Sequence, residues 1–282
     1  MIILQIEEIS MLTTSYRLLE TEYKRCLQHV KGNKHFTHYA QEKYRHSMQV
    51  MGAGNYLVRR IEWLKNKPKE YIEMVKSTIL LHDVYRFANI IENFNGRRDF
   101  DHSVEGANFL RQIDIFSDIR VWLPIKHHGH LIEELYQDTE YLSIKDKTLQ
   151  QEVEHICFIV RDADKIANLH MLAYEDNMRS LFLGKAQPEN IEDSSISDFV
   201  KEDAFKETTI RRDLRTTVAD RIASYLSWYM DINYQYSIDF CTKLDVTERL
   251  LNMLNEFCSD EQFKRQYLEF FRNYLATHKF LR

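Results

Sequence analysis

The chain has little of what turns a backbone. Its 282 residues include only 7 glycines and 3 prolines, against average usage of about 7% and 5%. Sheets with many turns need such residues, so the scarcity argues against a many-stranded fold and favours long helices. The 4 cysteines, Cys26, Cys157, Cys241 and Cys258, form no CxxC pair, which leaves no zinc ribbon to expect. Three of them sit in apolar helical patterns and are expected in the core. No apolar run reaches the ~18 residues of a membrane span. The opening MIILQIEEISML has no basic stretch before its short apolar run, so no signal peptide is read. A net charge of -5 argues against a dedicated nucleic-acid binder, which is normally basic, yet leaves room for a local basic pocket. The expectation is a reduced, cytoplasmic protein with no membrane segment, free to form a homo-oligomer.

What is present is helical periodicity, almost from end to end. Apolar spacing predicts helices over 8–30, 36–66, 69–84, 101–113, 117–128, 147–182, 212–237, 245–257 and 260–277. NFNGRRDFD, residues 93–101, reads as a loop turning at Gly96, and the polar, acidic stretch 183–211 reads as a linker or mobile excursion. The domain plan is therefore an N-terminal helix (1–35), an all-α core (36–182), that linker, and a C-terminal helical extension packing on the core (212–282).

Polar residues interrupt the apolar stripes in a consistent way. KSTILLHDVYRF carries the stripe Ile72, Val75, Ile79 into His82 and Asp83. One helix earlier, the stripe Val50, Ala53, Leu57, Ile61, Leu64 extends back four residues to His46. In 147–182 the stripe Val153, Ile156, Val160, Ala167 passes through Asp164, whereas Asp162 is rotated about 200° away at ~3.6 residues per turn. A lone buried carboxylate costs several kcal/mol or shifts its pKa. Two of them with two imidazoles become favourable around a divalent metal, for which these are natural ligands. DFDHSVEGANFL adds His102, with Gly106 permitting close helix approach, and PIKHHGH adds His127, His128 and His130. Neighbours on a helix differ by about 100°, so His127 and His128 do not serve equally. The ligand-type residues exceed the needs of one four-coordinate ion, and two ions about 3.5–4 Å apart suit the number better.

The order His46, His82-Asp83, His102, His128, Asp164 resembles the HD-domain superfamily of metal-dependent phosphohydrolases. LLHDVYRF is similar to its apolar-HD segment, DHSVEGA to its second-metal histidine segment, PIKHHGH to its I-x-x-H segment and RDADKIANL to its closing aspartate segment. The likeness covers about residues 36–182. It implies an HD helical bundle in which His46, His82, Asp83 and Asp164 hold one divalent ion. His102 and His128 complete a second, Asp83 bridges, and His127 is the lesser candidate beside His128. It further implies hydrolysis of a phosphate ester or anhydride in a small molecule such as a nucleotide. Arg86, Lys126, Arg161 and Lys165, each within four residues of a ligand, are the candidate phosphate clamps, Arg86 and Lys165 acting also in catalysis. Glu105 is the candidate proton-transfer carboxylate. Tyr85 departs from the common HD-x-G pattern and is expected to narrow the pocket. No GYP follows the paired histidines, which disfavours the cyclic-di-GMP branch, and the synthetase half of the stringent-response enzymes is missing. Two rival readings share the ligand set: a di-iron oxygenase, and a non-catalytic metal-stabilised domain that senses a nucleotide or binds a partner.

Overall fold

A computed structural model describes residues 10–97, 100–175 and 194–282. The chain start, the end of the helix expected to run to 182, Arg98 and Asp99 of the 93–101 loop, and residues 183–193 of the expected linker lie outside the described residues. Among the described residues there is no strand, and the isolated parallel bridge between Tyr234 and Leu281 is the one β-type pairing. The fold is all-α. None of the described helices is long and apolar enough to cross a membrane. All 4 cysteines are buried and none forms a disulfide.

The described chain divides into two compact units, Met1–Asp164 and Lys165–Arg282. The first is built from α1 (Met11–His29), α2 (Lys34–Val58), α3 (Lys69–Leu81), α4 (Arg86–Phe94), α5 (His102–Leu110), α6 (Ile119–His127), the short α7 (Ile132–Gln137) and α8 (Thr139–Leu142), and the larger part of α9 (Lys147–Tyr174). α3 is its central element and packs on α1, α2 and α6. Residues 77–84, from Ser77 to Val84, are buried without exception. The expected α2 stripe is internal, with Val50, Leu57 and Ile61 inaccessible. Its glycine matters: a Cβ on Gly54 would lie 2.7 Å from Ile79 Cγ2, so α2 and α3 approach closely only because that carbon is missing. Gly106 plays the same part for α5, where a Cβ would meet Tyr85 Cβ at 3.3 Å and Ile125 Cγ2 at 3.9 Å.

Several helices are shorter than periodicity predicts. α2 stops at Val58 and is followed by a 3-10 turn, Glu62–Leu64; α3 stops at Leu81, and a tight turn over 82–85 leads straight into α4. That turn is closed by Val84 N–H on the Leu81 carbonyl at 3.0 Å and Arg86 N–H on the Asp83 carbonyl at 2.9 Å. Asp101 caps α5, its carboxylate accepting from the Ser103 and Val104 amides at 2.9 and 3.2 Å.

The second unit comprises the end of α9, α10 (Asp198–Asp203), α11 (Val218–Leu226), α12 (Gln235–Lys243), α13 (Val246–Phe257) and α14 (Glu261–Thr277). The single helix expected over 212–237 is divided, because a 3-10 segment, Ser227–Asp231, follows α11 before α12 begins. A Thr217–Asp220 capping box starts α11. Tyr229 and Tyr267 are buried with satisfied hydroxyls, on Thr247 Oγ1 at 2.9 Å and the Ala223 carbonyl at 3.2 Å.

Candidate metal centre

Helix ends supply most of the site. His82 caps α3, and its Nδ1 donates to the Ile79 carbonyl at 2.9 Å. The bond satisfies one of the carbonyls left over at a helix C-terminus. It also fixes the proton on Nδ1, so that Nε2 carries a free lone pair. His128 repeats the device at the end of α6, with Nδ1 donating to the Ile125 carbonyl at 2.7 Å. His102 is the first residue of α5. His46 and Asp164 come from the interiors of α2 and α9.

These five side chains meet around Asp83. One carboxylate oxygen, Oδ1, lies 2.8 Å from His102 Nε2 and 3.6 Å from His128 Nε2. The other, Oδ2, lies 4.0 Å from His46 Nε2. Asp164 Oδ1 is 3.0 Å from His46 Nε2 and 3.8 Å from His82 Nε2. Two overlapping groups are therefore close enough to bind an ion: His46, His82 and Asp83, and Asp83, His102 and His128. Asp83 belongs to both.

Burial favours the neutral form of His82 and His102. It pushes His82 down to about 4, against the opposing pull of Asp83 and Asp164, and it lowers His102 as well. Burial alone would raise the carboxyl of Asp83, but Arg86 foremost, with Lys43, holds it well below the usual range. Asp164 is likewise held low against burial by its contact with His46. For His82, His102, Asp83 and Asp164 the result is neutral nitrogens and ionised carboxylates, the protonation state that metal binding requires. His82 Nε2 is buried and has no hydrogen-bond partner among the described residues. An aimed, unpaired acceptor of this kind is costly in the absence of a cation. The donor set and this orphan nitrogen fit a divalent ion.

The remaining candidates are dispersed. Lys126 Nζ pairs with Asp138 and Glu140 at 2.7 and 3.0 Å. Lys165, in the second unit, pairs with Asp231 at 2.9 Å. Arg161 is buried and donates to the carbonyls of His127, at 2.9 Å, and His130. His127 turns its Nε2 to Asp138 at 2.8 Å, which leaves His128 as the member of the pair that faces Asp83. Glu105 is exposed and lines a pocket of about 440 Å³ with Tyr85, Ala88, Phe100 and Arg97. Tyr85 stacks toward Phe100 and Phe109, ring centroids 5.7 and 5.5 Å away, and so lines that pocket. Arg86 stays at the cluster, with Nη2 2.7 Å from His102 Nε2 and Nε 3.7 Å from Asp83 Oδ1. Sequence reasoning missed Lys43, whose Nζ is 3.7 Å from Asp83 Oδ2. Its one signal was the i to i+3 spacing from His46 on α2, which shares a face.

A second layer ties the ligand-bearing segments together. Asp101, beyond capping α5, accepts from His130 Nε2 through Oδ2 at 2.7 Å. It thereby joins the helix that begins with His102 to the turn that carries His128, while Arg161 grips the same turn from α9, three residues ahead of Asp164. Replacing Asp101 with alanine is expected to cost about 1 kcal/mol of stability as a lost cap. It is also expected to weaken ion binding at His102 and His128 by about ten- to a hundredfold as a lost support. Thermal melts and Mn²⁺ titration read the two effects separately; unchanged Mn²⁺ affinity would leave Asp101 as a cap alone.

Comparison with protein families finds a match of residues 44–169 to the HD domain. That match points at most to the metal-dependent hydrolase superfamily, and the His/Asp cluster is consistent with an HD metal site. Comparison with curated proteins finds no match, and comparison with solved structures finds none.

Proposed function

We propose that the chain is a divalent-metal-dependent phosphohydrolase acting on a phosphate ester or anhydride of a small molecule, such as a nucleotide. The observation that carries the reading is the Asp83 carboxylate set between two groups of imidazoles, with the cations Lys43 and Arg86 beside it. His46, His82, Asp83 and Asp164 hold one ion; Asp83, His102 and His128 provide for a second. Divalent ions held there lower the pKa of water toward neutrality and neutralise phosphoryl charge. Lys43 and Arg86, each with about a quarter of the side chain exposed, are placed to receive phosphate oxygens entering from solvent. Arg86 supplies a fork of fixed donors suited to phosphate. A redox centre has no need of two cations against its bridging carboxylate, which favours hydrolysis over oxygenation.

The test is an assay of nucleotides and phosphoesters with Mn²⁺, Mg²⁺, Co²⁺ or Fe²⁺, run with and without oxygen. The expected result is phosphate release that requires metal, ignores oxygen and disappears in His82→Ala. Turnover of an organic substrate only in air, with no phosphoester cleaved, would assign the same ligands to an oxygenase.

A further inference from the structure

We propose that the Arg86 guanidinium is the resident cation of the position formed by Asp83, His102 and His128, and that a second divalent ion takes this position only when a phosphate group draws the guanidinium away. This rests on the reading of the cluster as a metal-dependent phosphate site and adds an order of events: first ion, then phosphate, then second ion.

Lone pairs decide which cation the position can hold. Arginine does not lose its proton in proteins and can only donate. Arg86 Nη2 lies 2.7 Å from His102 Nε2, so that nitrogen is the acceptor and bears no proton. Asp83 Oδ1, also an acceptor, stands 2.8 Å from the same nitrogen. Two acceptors that close repel unless a cation serves both. The guanidinium supplies the charge here: it hydrogen-bonds His102, and its Nε stands 3.7 Å from Asp83 Oδ1, an ion-pair distance longer than a hydrogen bond. A neutral imidazole nitrogen has a single lone pair. It cannot accept from Arg86 and bind a metal at the same time, so guanidinium and second ion exclude each other. Charge repulsion between them adds to the exclusion.

At the other position no guanidinium sits on a ligand nitrogen. His82 Nε2 is orphaned, and the nearest cation, Lys43, stays 3.7 Å from Asp83 Oδ2, outside hydrogen-bond range. An ion settling among His46, His82, Asp83 and Asp164 therefore displaces no cation from a ligand nitrogen and takes over the 3.0 Å contact of His46 Nε2 with Asp164 Oδ1. At the contested position the guanidinium needs a better partner before it leaves, and a phosphate offers one in bidentate geometry. Arg86 has 22% of its side chain exposed, so a ligand arriving from solvent can reach it. By linkage, phosphate and second ion must then strengthen each other's binding by the same factor.

The experiment is a Mn²⁺ titration of the metal-free full-length chain, with free ion followed by electron paramagnetic resonance. Wild type is expected to take one Mn²⁺ tightly and a second at least about tenfold more weakly, a gap of ~1.4 kcal/mol. Arg86→Met, which keeps the stem and removes charge and donors, is expected to bring the second affinity up to within about threefold of the first. Adding His102→Ala to that variant should abolish the gain. Inorganic phosphate should tighten the second Mn²⁺ in wild type and leave Arg86→Met unmoved. Two equal tight ions in wild type, or a second affinity unchanged in Arg86→Met, would overturn the proposal while the metal centre stands. A wild type that binds no ion overturns both. If Arg86→Met does not fold, the phosphate titration of wild type decides: no tightening of the second ion refutes the exchange.

Discussion

Asp83→Ala is expected to lose most bound metal and nearly all hydrolysis, because it removes the one side chain shared by both ligand groups. A fall in kcat/KM of about three powers of ten, or ~4 kcal/mol of transition-state stabilisation, is the expected scale. The substitution also acts on the metal-free fold. Lys43 and Arg86 would keep their charges and lose the carboxylate that faces both. Breaking a fully buried pair costs ~3–5 kcal/mol. Here the two cations are 24% and 22% exposed, so solvent screens them and the cost is smaller. Metal analysis and melting curves with and without chelator check both effects. Wild type should melt lower with chelator, since an ion that binds only the folded state stabilises it by mass action. Asp83→Ala should melt at the same temperature with or without it. A full complement of metal in Asp83→Ala would refute the assignment of the bridge.

The second large effect separates two aspartates on one helix. Asp164→Asn is expected to abolish hydrolysis and weaken the ion at His46 and His82, since Asp164 Oδ1 lies 3.0 Å from His46 Nε2. Asp162→Asn is expected to keep its metal. It should cost stability instead, because Asp162 is fully buried, and an amide cannot replace a buried carboxylate without changing its partners. Metal retention after gel filtration, set beside the melting temperature, distinguishes them. Equal loss of metal from both variants, with folding intact, would mean that the ligand on α9 is misassigned.

Asp162 also shows where a local rule stops. Helical phase put Asp164 on the ligand-bearing stripe, and its contact with His46 follows that phase. The same reasoning turned Asp162 away from that stripe but said nothing of what waited there. α9 is covered on more than one side, with Ile156, Cys157, Ile159, Val160, Arg161, Asp162 and Ala163 all buried. Phase gives the direction of a side chain, and only the packing of other helices decides whether that direction is solvent or core.

The ends of α2 and α3 make the same point about boundaries. Neither the turn at 82–85 nor the stop at Val58 contains glycine or proline, so no breaker marked them. α4 went unassigned because the apolar pattern of α3 continued visibly into His82 and Asp83. The break turns the chain at the doublet, through hydrogen bonds that any residues of this size can make.

The sequence by itself determined the all-α class, through scarce turn residues and a continuous helical period, and it determined the set of histidines and aspartates that share apolar faces. Both are written in spacings of three and four residues, which the helix enforces locally. Tertiary structure alone turned His128 rather than His127 toward Asp83, because Asp138 arrives from another segment to pair with His127. It sent Lys126 and Lys165 to Asp138 and Asp231, moved Glu105 to a separate pocket, and brought Lys43 to Asp83. An exposed-looking lysine has many carboxylates within its sequence neighbourhood and beyond. Which one it meets depends on how helices distant in the chain come together, and no local period ranks those choices.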